Sequence, residues 1–181
     1  MSSIPARLVT ERLLLRCWEP EDAPALREAI DGSLDLLRQW LPWAMGEPSP
    51  VEEVAERLSR FRETFRAGKD WAFAVLDLGT GSVLGGAGLH RREGPGALEI
   101  GYWLRREALG HGYTTEAVEA LARAALEHGG VERVEIRCDP ANVGSIEVAR
   151  RTGFRHVVTL VRNARTPAGE PRDTMVWERT R

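Results

Sequence analysis

A glycine-containing turn between a strand and a long amphipathic helix is the feature that most constrains this sequence. Every second residue from Leu98 to Leu104 is large and apolar or aromatic, a spacing that predicts a strand. After the turn, apolar residues return at the spacing of one helix face: Val118, Leu121, Ala122, Ala125 and Leu126. Thr114 or Thr115 can cap the start of this helix, and Gly129-Gly130 predicts its end.

The turn itself, Leu109 to Thr115, carries Gly110 and Gly112. Free backbone N–H groups and the positive end of the helix dipole converge at such a loop, which favours binding of a phosphate or pyrophosphate. A dinucleotide-binding fingerprint needs a further glycine at position 115, and a Walker loop needs a lysine, which this sequence has only at Lys69. The sequence therefore lacks residues that each of these two nucleotide-binding motifs requires.

Length and composition restrict the remaining interpretations. The 181 residues predict a single domain, 1–181, with a substantial core. A net charge of −2 gives no basic field that would favour direct contact with nucleic acid. No apolar segment approaches the ~18 residues that cross a bilayer, and Met1–Pro5 lacks an apolar leader, so we expect a cytoplasmic protein without membrane contact. Cys17 and Cys138 lack metal-ligand spacing, and we expect no metal site.

The rest of the chain predicts a mixed order of strands and helices. Ser49 and Glu52 have the spacing of a capping box. The glycines between Gly85 and Gly88 indicate a bulge or a close backbone approach within a strand. The predicted elements are a strand at 12–17, helices after Pro20, Leu34 and Ser49, strands at 71–78, 83–91 and 97–104, the helix after the glycine loop, a strand at 132–138, a helix at 144–152, and strands at 154–160 and 174–178.

The glycine loop resembles motif A of the GCN5-related N-acetyltransferases (GNAT), written Q/R-x-x-G-x-G/A. Aligned on Gly112, Leu109 stands where Gln or Arg is usual, and Thr114 stands where Gly or Ala is usual. Further along, Asn142–Ser145 and Arg151–Phe154 resemble the segments that this family places at the pantetheine arm of coenzyme A. Main-chain N–H groups bind pyrophosphate in this motif, and both Leu and Thr still supply them.

Three other segments resemble the Rim-type branch of this family, the ribosomal-protein N-terminal acetyltransferases: Thr10–Arg16, Trp40–Trp43 and Glu99–Trp103. The resemblance implies an α/β (α+β) fold with a mixed, mostly antiparallel central sheet, flanking helices and splayed central strands. It implies acetyl-CoA as the cosubstrate. The residues that it implies for coenzyme A binding are Tyr102, Trp103, Leu104, Leu109, Gly110, His111, Gly112, Tyr113, Thr114, Asn142 and Ser145.

Two residues are candidates for proton transfer. The resemblance places Ser145 near the coenzyme A sulfur, where it acts as a general acid; the alternative is an ordinary serine in the first turn of a helix. Glu99 can accept a proton from the amine through a water molecule, because an ammonium group has no lone pair for attack. The alternative for Glu99 is a solvated strand residue. Arg105 and Arg106 either compensate for Leu109 or are exposed ends of a strand.

The acceptor is the least determined part of the reaction. The Rim-type resemblance implies a protein N-terminus, such as that of a ribosomal protein, with Trp40 and Trp43 lining the acceptor pocket. A small-molecule amine (an amino acid, a polyamine or an aminoglycoside) is the alternative enzyme substrate. A coenzyme A-binding module without catalysis is the alternative from a different class. The resemblance is compatible with a monomer or a homodimer.

Overall fold

The computed structural model describes residues 4–92 and 94–181, which contain one eight-stranded sheet. The prediction that the chain lacks an apolar leader rests partly on residues 1–3, which lie outside the described residues. The strands are β1 (Arg7–Val9), β2 (Leu13–Cys17), β3 (Asp70–Asp77), β4 (Val83–His90), β5 (Ala97–Leu104), β6 (Arg133–Cys138), β7 (Arg155–Arg165) and β8 (Pro171–Thr180). The helices are α1 (Ala23–Asp31), α2 (Leu34–Trp40), α3 (Val51–Arg66), α4 (Tyr113–His128) and α5 (Val143–Arg151).

The sheet is mixed and mostly antiparallel, as predicted. Its spatial order is β1-β2-β3-β4-β5-β6-β8-β7, and all described neighbours are antiparallel except the parallel pair β5 and β6. Helices α4 and α5 pack on one face, while α1, α2 and α3 pack mainly on the other. None of the described helices is long and apolar enough to span a membrane.

Neighbouring residues of β5 face different helical layers. Tyr102 packs against the cluster that contains Val118 and Leu121 of α4, whereas Trp103 packs against the cluster that contains Leu58 of α3. This alternation follows from the period of two along a strand. One face of β5 therefore lies against the α4 layer, and the other face lies against the α3 layer.

Strands β5 and β6 pair only at their beginnings. The parallel register joins Ala97 to Arg133 and ends with Glu99 opposite Glu135. Beyond this point β5 follows β4 as far as Leu104, while β6 follows β8. A gap therefore opens between the two central strands, and the predicted splay is confirmed.

Gly85 lets β4 and β5 lie unusually close together. A Cβ atom at this position would lie 2.1 Å from the carbonyl oxygen of Trp103 and 2.8 Å from the Cα of Leu104. On its other side, β4 has a register shift against β3 at the step from Val75 to Leu76. The structure thus contains both the close backbone approach and the bulge that the glycines indicate.

The predicted cap of α4 is wrong. The helix begins at Tyr113, and its N-cap residue is Gly112 with φ of 80°. Thr114 and Thr115 are already helical residues, so neither occupies the cap position. The physical reason is that glycine adopts this left-handed conformation without strain, which starts the helix earlier. The end of the helix at His128, with Gly129 as its C-cap, agrees with the prediction.

One other local prediction is corrected, and one strand of the structure was not predicted. The Ser49 capping box does not form: α3 begins at Val51, and the Ser49 backbone N–H donates to a Glu47 carboxylate oxygen at 2.7 Å. The nearby carboxylate satisfies this group before the helix begins. Strand β1 was not predicted, because its three residues are exposed or half-buried and show no clear apolar alternation.

Candidate active site

The glycine loop lies beyond the carboxyl end of β5 and leads directly into α4. Gly110 and Gly112 both have positive φ, 78° and 80°. A Cβ atom on Gly110 would meet no described heavy atom within 4 Å, and Leu109 is exposed. Helix α4 is 16 residues long, and its first backbone N–H groups face this end of the loop. The loop is therefore open and presents backbone donors, which suits it to an anion.

Arg12, just before β2, holds this loop from the side. Its Nη1 donates to the His111 carbonyl oxygen at 2.9 Å, and its guanidinium lies 4.6 Å from the centre of the Tyr113 ring. Its backbone N–H and its Nε each donate to Glu116 in the first turn of α4 at 2.8 Å. Burial disfavours the charged form of Glu116, but hydrogen bonds from Thr10 and Arg12 hold its pKa below the ordinary value. This contact between distant parts of the chain was not predicted from the sequence.

Arg105 and Arg106 both pair with carboxylates, and the Arg106 side chain is still 50% exposed at the end of the strand. Arg106 donates from Nη2 to Asp35 at 2.6 Å, and its backbone N–H donates to the Ser33 hydroxyl at 3.0 Å, so it joins the end of β5 to α2. Arg105 pairs with Glu107 in the same turn at 2.9 Å and lies 3.6 Å from Glu28 of α1. Arg12, from a distant part of the chain, directly contacts the glycine loop.

Ser145, in the first turn of α5, meets Tyr102 on the α4 side of the sheet. The Tyr102 hydroxyl and the Ser145 Oγ are 2.7 Å apart. Asn142 Oδ1 accepts a hydrogen bond from the Ser145 backbone N–H at 3.1 Å, so Asn142 is the N-cap of α5. Burial raises the pKa of Tyr102 to about 12. The phenol therefore keeps its proton at neutral pH and can donate a hydrogen bond to Ser145.

Cys138, at the end of β6, is a free and buried thiol close to this hydroxyl pair. Burial raises the pKa of its thiol. Since the thiolate is the reactive form, this environment makes Cys138 a poor nucleophile at neutral pH. Cys138 is therefore not favoured as a covalent nucleophile.

The opposite face of β5 carries Glu99 and Trp103. Glu99 is half-buried, and one of its carboxylate oxygens lies 3.4 Å from Arg92 Nη1. Trp103 makes an edge-on contact with Trp43, with ring centres 5.8 Å apart. Trp40 is the last residue of α2 and is half-buried. The Trp103 side chain therefore contacts Trp43 on the face of the sheet that also carries Glu99. The backbone of Trp103 borders the gap between β5 and β6.

This architecture, with a sheet that opens beside a glycine loop at a helix N-terminus, defines an acyltransferase. Residues 12–155 match the family model described as "Acetyltransferase (GNAT) domain". The chain therefore belongs to the GNAT acetyltransferase family, as the sequence motifs indicate. Within residues 4–92 and 94–181, no group of histidine, cysteine, aspartate or glutamate side chains is arranged to hold a metal ion.

Relatives and solved structures agree with this assignment. The chain is 32% identical over 155 residues to YdaF of Bacillus subtilis, provisionally named a ribosomal N-acetyltransferase, covering 81% of this chain and 79% of YdaF. The structure of the ribosomal-protein α-N-acetyltransferase RimL with coenzyme A superposes with a TM-score of 0.86 at 24% identity, covering 98% of this chain and 97% of RimL. The microcin C7 self-immunity acetyltransferase MccE, solved with acetyl-CoA and AMP, gives 0.88 at 18% identity, covering 99% of both chains. These two likenesses show the fold.

Proposed function

We propose that residues 1–181 form one N-acetyltransferase domain that transfers acetyl from acetyl-CoA directly to a primary amine, most favourably a protein N-terminal amine. The observation that carries the proposal is the gap between β5 and β6. It begins after Glu99 and Glu135, beside the glycine loop, and the Tyr102–Ser145 pair borders it. A linear thioester can lie in such a gap with its phosphates at the loop.

The residues of the loop fit the pyrophosphate of coenzyme A. Gly110 and Gly112 leave the loop surface without side chains, and the first turn of α4 supplies N–H donors. Leu109 contributes only its main chain to this binding. Acetyl-CoA supplies the activated acetyl group when bound, and the remaining coenzyme A residues follow from the sequence motifs: Tyr102, Trp103, Leu104, His111, Tyr113, Thr114, Asn142 and Ser145.

Main-chain groups of β5 on the gap side can polarise the thioester carbonyl. Past Glu99 these groups face the gap instead of β6. Hydrogen-bond donors placed where charge develops stabilise the tetrahedral oxyanion. Ser145 protonates the departing sulfur, and Tyr102 supports it through the 2.7 Å hydrogen bond. Glu99 is the carboxylate candidate for removal of the amine proton through water.

The acceptor proposed first is the α-amino group of a protein. An α-amine with pKa of about 8 is roughly one-tenth neutral at pH 7, whereas a lysine amine near 10.4 is almost entirely charged. The relationship to YdaF supports a ribosomal protein as the source of that N-terminus. A small-molecule amine is the second candidate, favoured by the fold shared with the self-immunity enzyme MccE. Trp40 and Trp43 are the residues proposed to line the acceptor pocket, and the Trp43 ring contacts Trp103.

Thermal unfolding with added ligands tests the cosubstrate first. At 100-fold over Kd, acetyl-CoA should stabilise the protein by about 2.7 kcal/mol, a rise in Tm of several degrees, while NAD and ATP should not. Turnover with N-terminal peptides, polyamines and aminoglycosides then identifies the acceptor. A larger shift with NAD or ATP would refute the acetyl-CoA site. Binding of acetyl-CoA without turnover on any amine would favour a binding module.

An Arg12→Ala variant should bind acetyl-CoA about tenfold more weakly. Arg12 fixes the His111 carbonyl and the Tyr113 ring, so its loss leaves the loop less ordered before binding. A hydrogen bond from a charged donor contributes about 1.5–3 kcal/mol, and about 1.4 kcal/mol corresponds to a tenfold change in Kd. Isothermal titration calorimetry measures this change. Arg27→Ala, which removes an ion pair on α1, is the control and should leave Kd unchanged.

A further inference from the structure

A carboxylate–imidazole pair lies on the face of the sheet opposite the Tyr102–Ser145 pair. His90 Nδ1 and an Asp70 carboxylate oxygen are 2.8 Å apart, and the two residues are opposite each other in the β3–β4 register. Because a carboxylate only accepts, Nδ1 carries the hydrogen in the neutral ring and Nε2 presents a lone pair. Within residues 4–92 and 94–181, no hydrogen bond to Nε2 is formed.

The sheet beneath the imidazole ring is shaped to admit it. A Cβ atom on Gly88 would lie 2.7 Å from His90 Nε2, and one on Gly101 would lie 3.3 Å from the same atom. Any side chain at these two positions would displace the ring. The His90 side chain is 17% exposed, so the ring is mostly enclosed but accessible. Asp70 and the paired glycines together fix the orientation of Nε2 over β5.

The ring lies close to the place where transfer is proposed. Gly101 immediately precedes Tyr102, and Glu99, the cross-strand partner of His90, is the last β5 residue that pairs with β6. Tyr102 faces the α4 layer, whereas Gly101 faces the other side. A thioester held in the gap would therefore have the Tyr102–Ser145 pair on one face and His90 on the other.

We propose that His90, oriented by Asp70, is the group that takes the proton from the acceptor ammonium; this inference rests on the proposed acetyl transfer. The charged groups near the ring are Asp70 on β3, Glu99 on β5 and Arg92, which pairs with Glu99. Asp70 and Glu99 thus place two carboxylates on this side of the sheet. Such a site attracts an amine in its ammonium form, which is the form that predominates in neutral water.

The proton balance of the reaction is complete with this assignment. The first ammonium proton passes to His90 Nε2, and the freed lone pair forms the C–N bond to the thioester carbon. When the tetrahedral intermediate collapses, the C–S bond breaks with its electron pair on sulfur. The second proton lost by nitrogen neutralises that thiolate by way of the Tyr102–Ser145 pair. His90 then releases its proton to solvent.

Kinetics of a His90→Gln variant test the role of His90 with the amine that the wild type acetylates. We expect kcat to fall at least tenfold with acetyl-CoA Kd unchanged, since a positioned base contributes about 10²–10⁴-fold. The KM for the amine should change much less than kcat, because the variant loses a proton acceptor rather than a binding contact. His128→Gln, at the exposed end of α4, is the matched control and should behave as wild type.

An Asp70→Asn variant gives a second test that leaves the imidazole in place. An amide that donates to Nδ1 moves the ring hydrogen to Nε2, so kcat should fall and the ¹⁵N chemical shifts of His90 should report the changed tautomer. Thermal unfolding must first show that each variant is folded. A folded His90→Gln variant with wild-type kcat would refute the proposed role of His90 but not the proposed acetyl transfer. A wild type that acetylates no amine would refute the proposed function and this inference together.

Discussion

A Gly85→Ala variant should be strongly destabilised, by about 3 kcal/mol, the upper part of the range for overpacking. Its new methyl group would lie 2.1 Å from the Trp103 carbonyl oxygen and 2.9 Å from a Leu104 side-chain carbon. The first contact is with backbone, which cannot rotate away as a flexible side chain can. Strand β5 would have to separate from β4, and β5 also carries the residues that border the gap.

Chemical and thermal unfolding measure this effect. For a chain of this size, 3 kcal/mol corresponds to a fall in Tm of roughly 6–12 °C. Gly46→Ala is the matched control, because a Cβ atom there would meet no described heavy atom within 4 Å. We expect that control to unfold within a degree or two of the wild type. Equal stability of the Gly85 and Gly46 variants would contradict the prediction, because it would show that β5 can separate from β4 at little cost.

Ser145→Ala should lower kcat about tenfold while leaving the acetyl-CoA Kd nearly unchanged. The proposed role of Ser145 is to protonate the leaving sulfur, which occurs only after binding. A general acid commonly contributes about 10²–10⁴-fold. We expect less here, because a thiol with a pKa of about 8.5 is already a good leaving group at neutral pH. Steady-state kinetics and calorimetry separate the two parameters.

Tyr102→Phe is the companion variant. Since burial raises the pKa of Tyr102 to about 12, its hydroxyl keeps its proton below about pH 11 and donates throughout the usual assay range. If Tyr102 acts through Ser145, the double variant should lose no more kcat than Ser145→Ala alone. A basic limb in the wild-type profile below pH 10 should persist in Tyr102→Phe. If the losses of kcat in the two single variants add fully in the double variant, Tyr102 does not act through Ser145.

Conformations that depend on nearby residues were easier to predict from the sequence than contacts between distant strands. The loop from Leu109 to Tyr113 and the Asn142 cap are local features, and their conformations depend on residues a few positions away. The pairing of Asp70 with His90 was not predicted, although Gly88 two residues before His90 was noted as a site of close approach. A histidine on a strand gives no signal of its partner until the register is known.

The corrections have a common physical origin. Thr114 and Ser49 both have the chemistry of a helix cap, and both were displaced by a stronger local competitor. Gly112 takes the cap position of α4 through its positive φ, and the Glu47 carboxylate binds the backbone N–H of Ser49. Capping preferences are worth about 1 kcal/mol, so one neighbouring contact can overrule them.

By itself the sequence determined the order of the main elements, the splayed sheet implied by the family motifs and the anion-binding loop. The order of the elements and the loop follow from apolar periodicity and from glycine conformations, which act over short stretches of chain, whereas the splayed sheet was implied by the resemblance to the GNAT family. Only the tertiary structure decided which distant groups meet: Arg12 with the glycine loop, Tyr102 with Ser145, and Trp43 with Trp103. Strand register and helix packing set these contacts, because each depends on the whole core at once rather than on any local pattern.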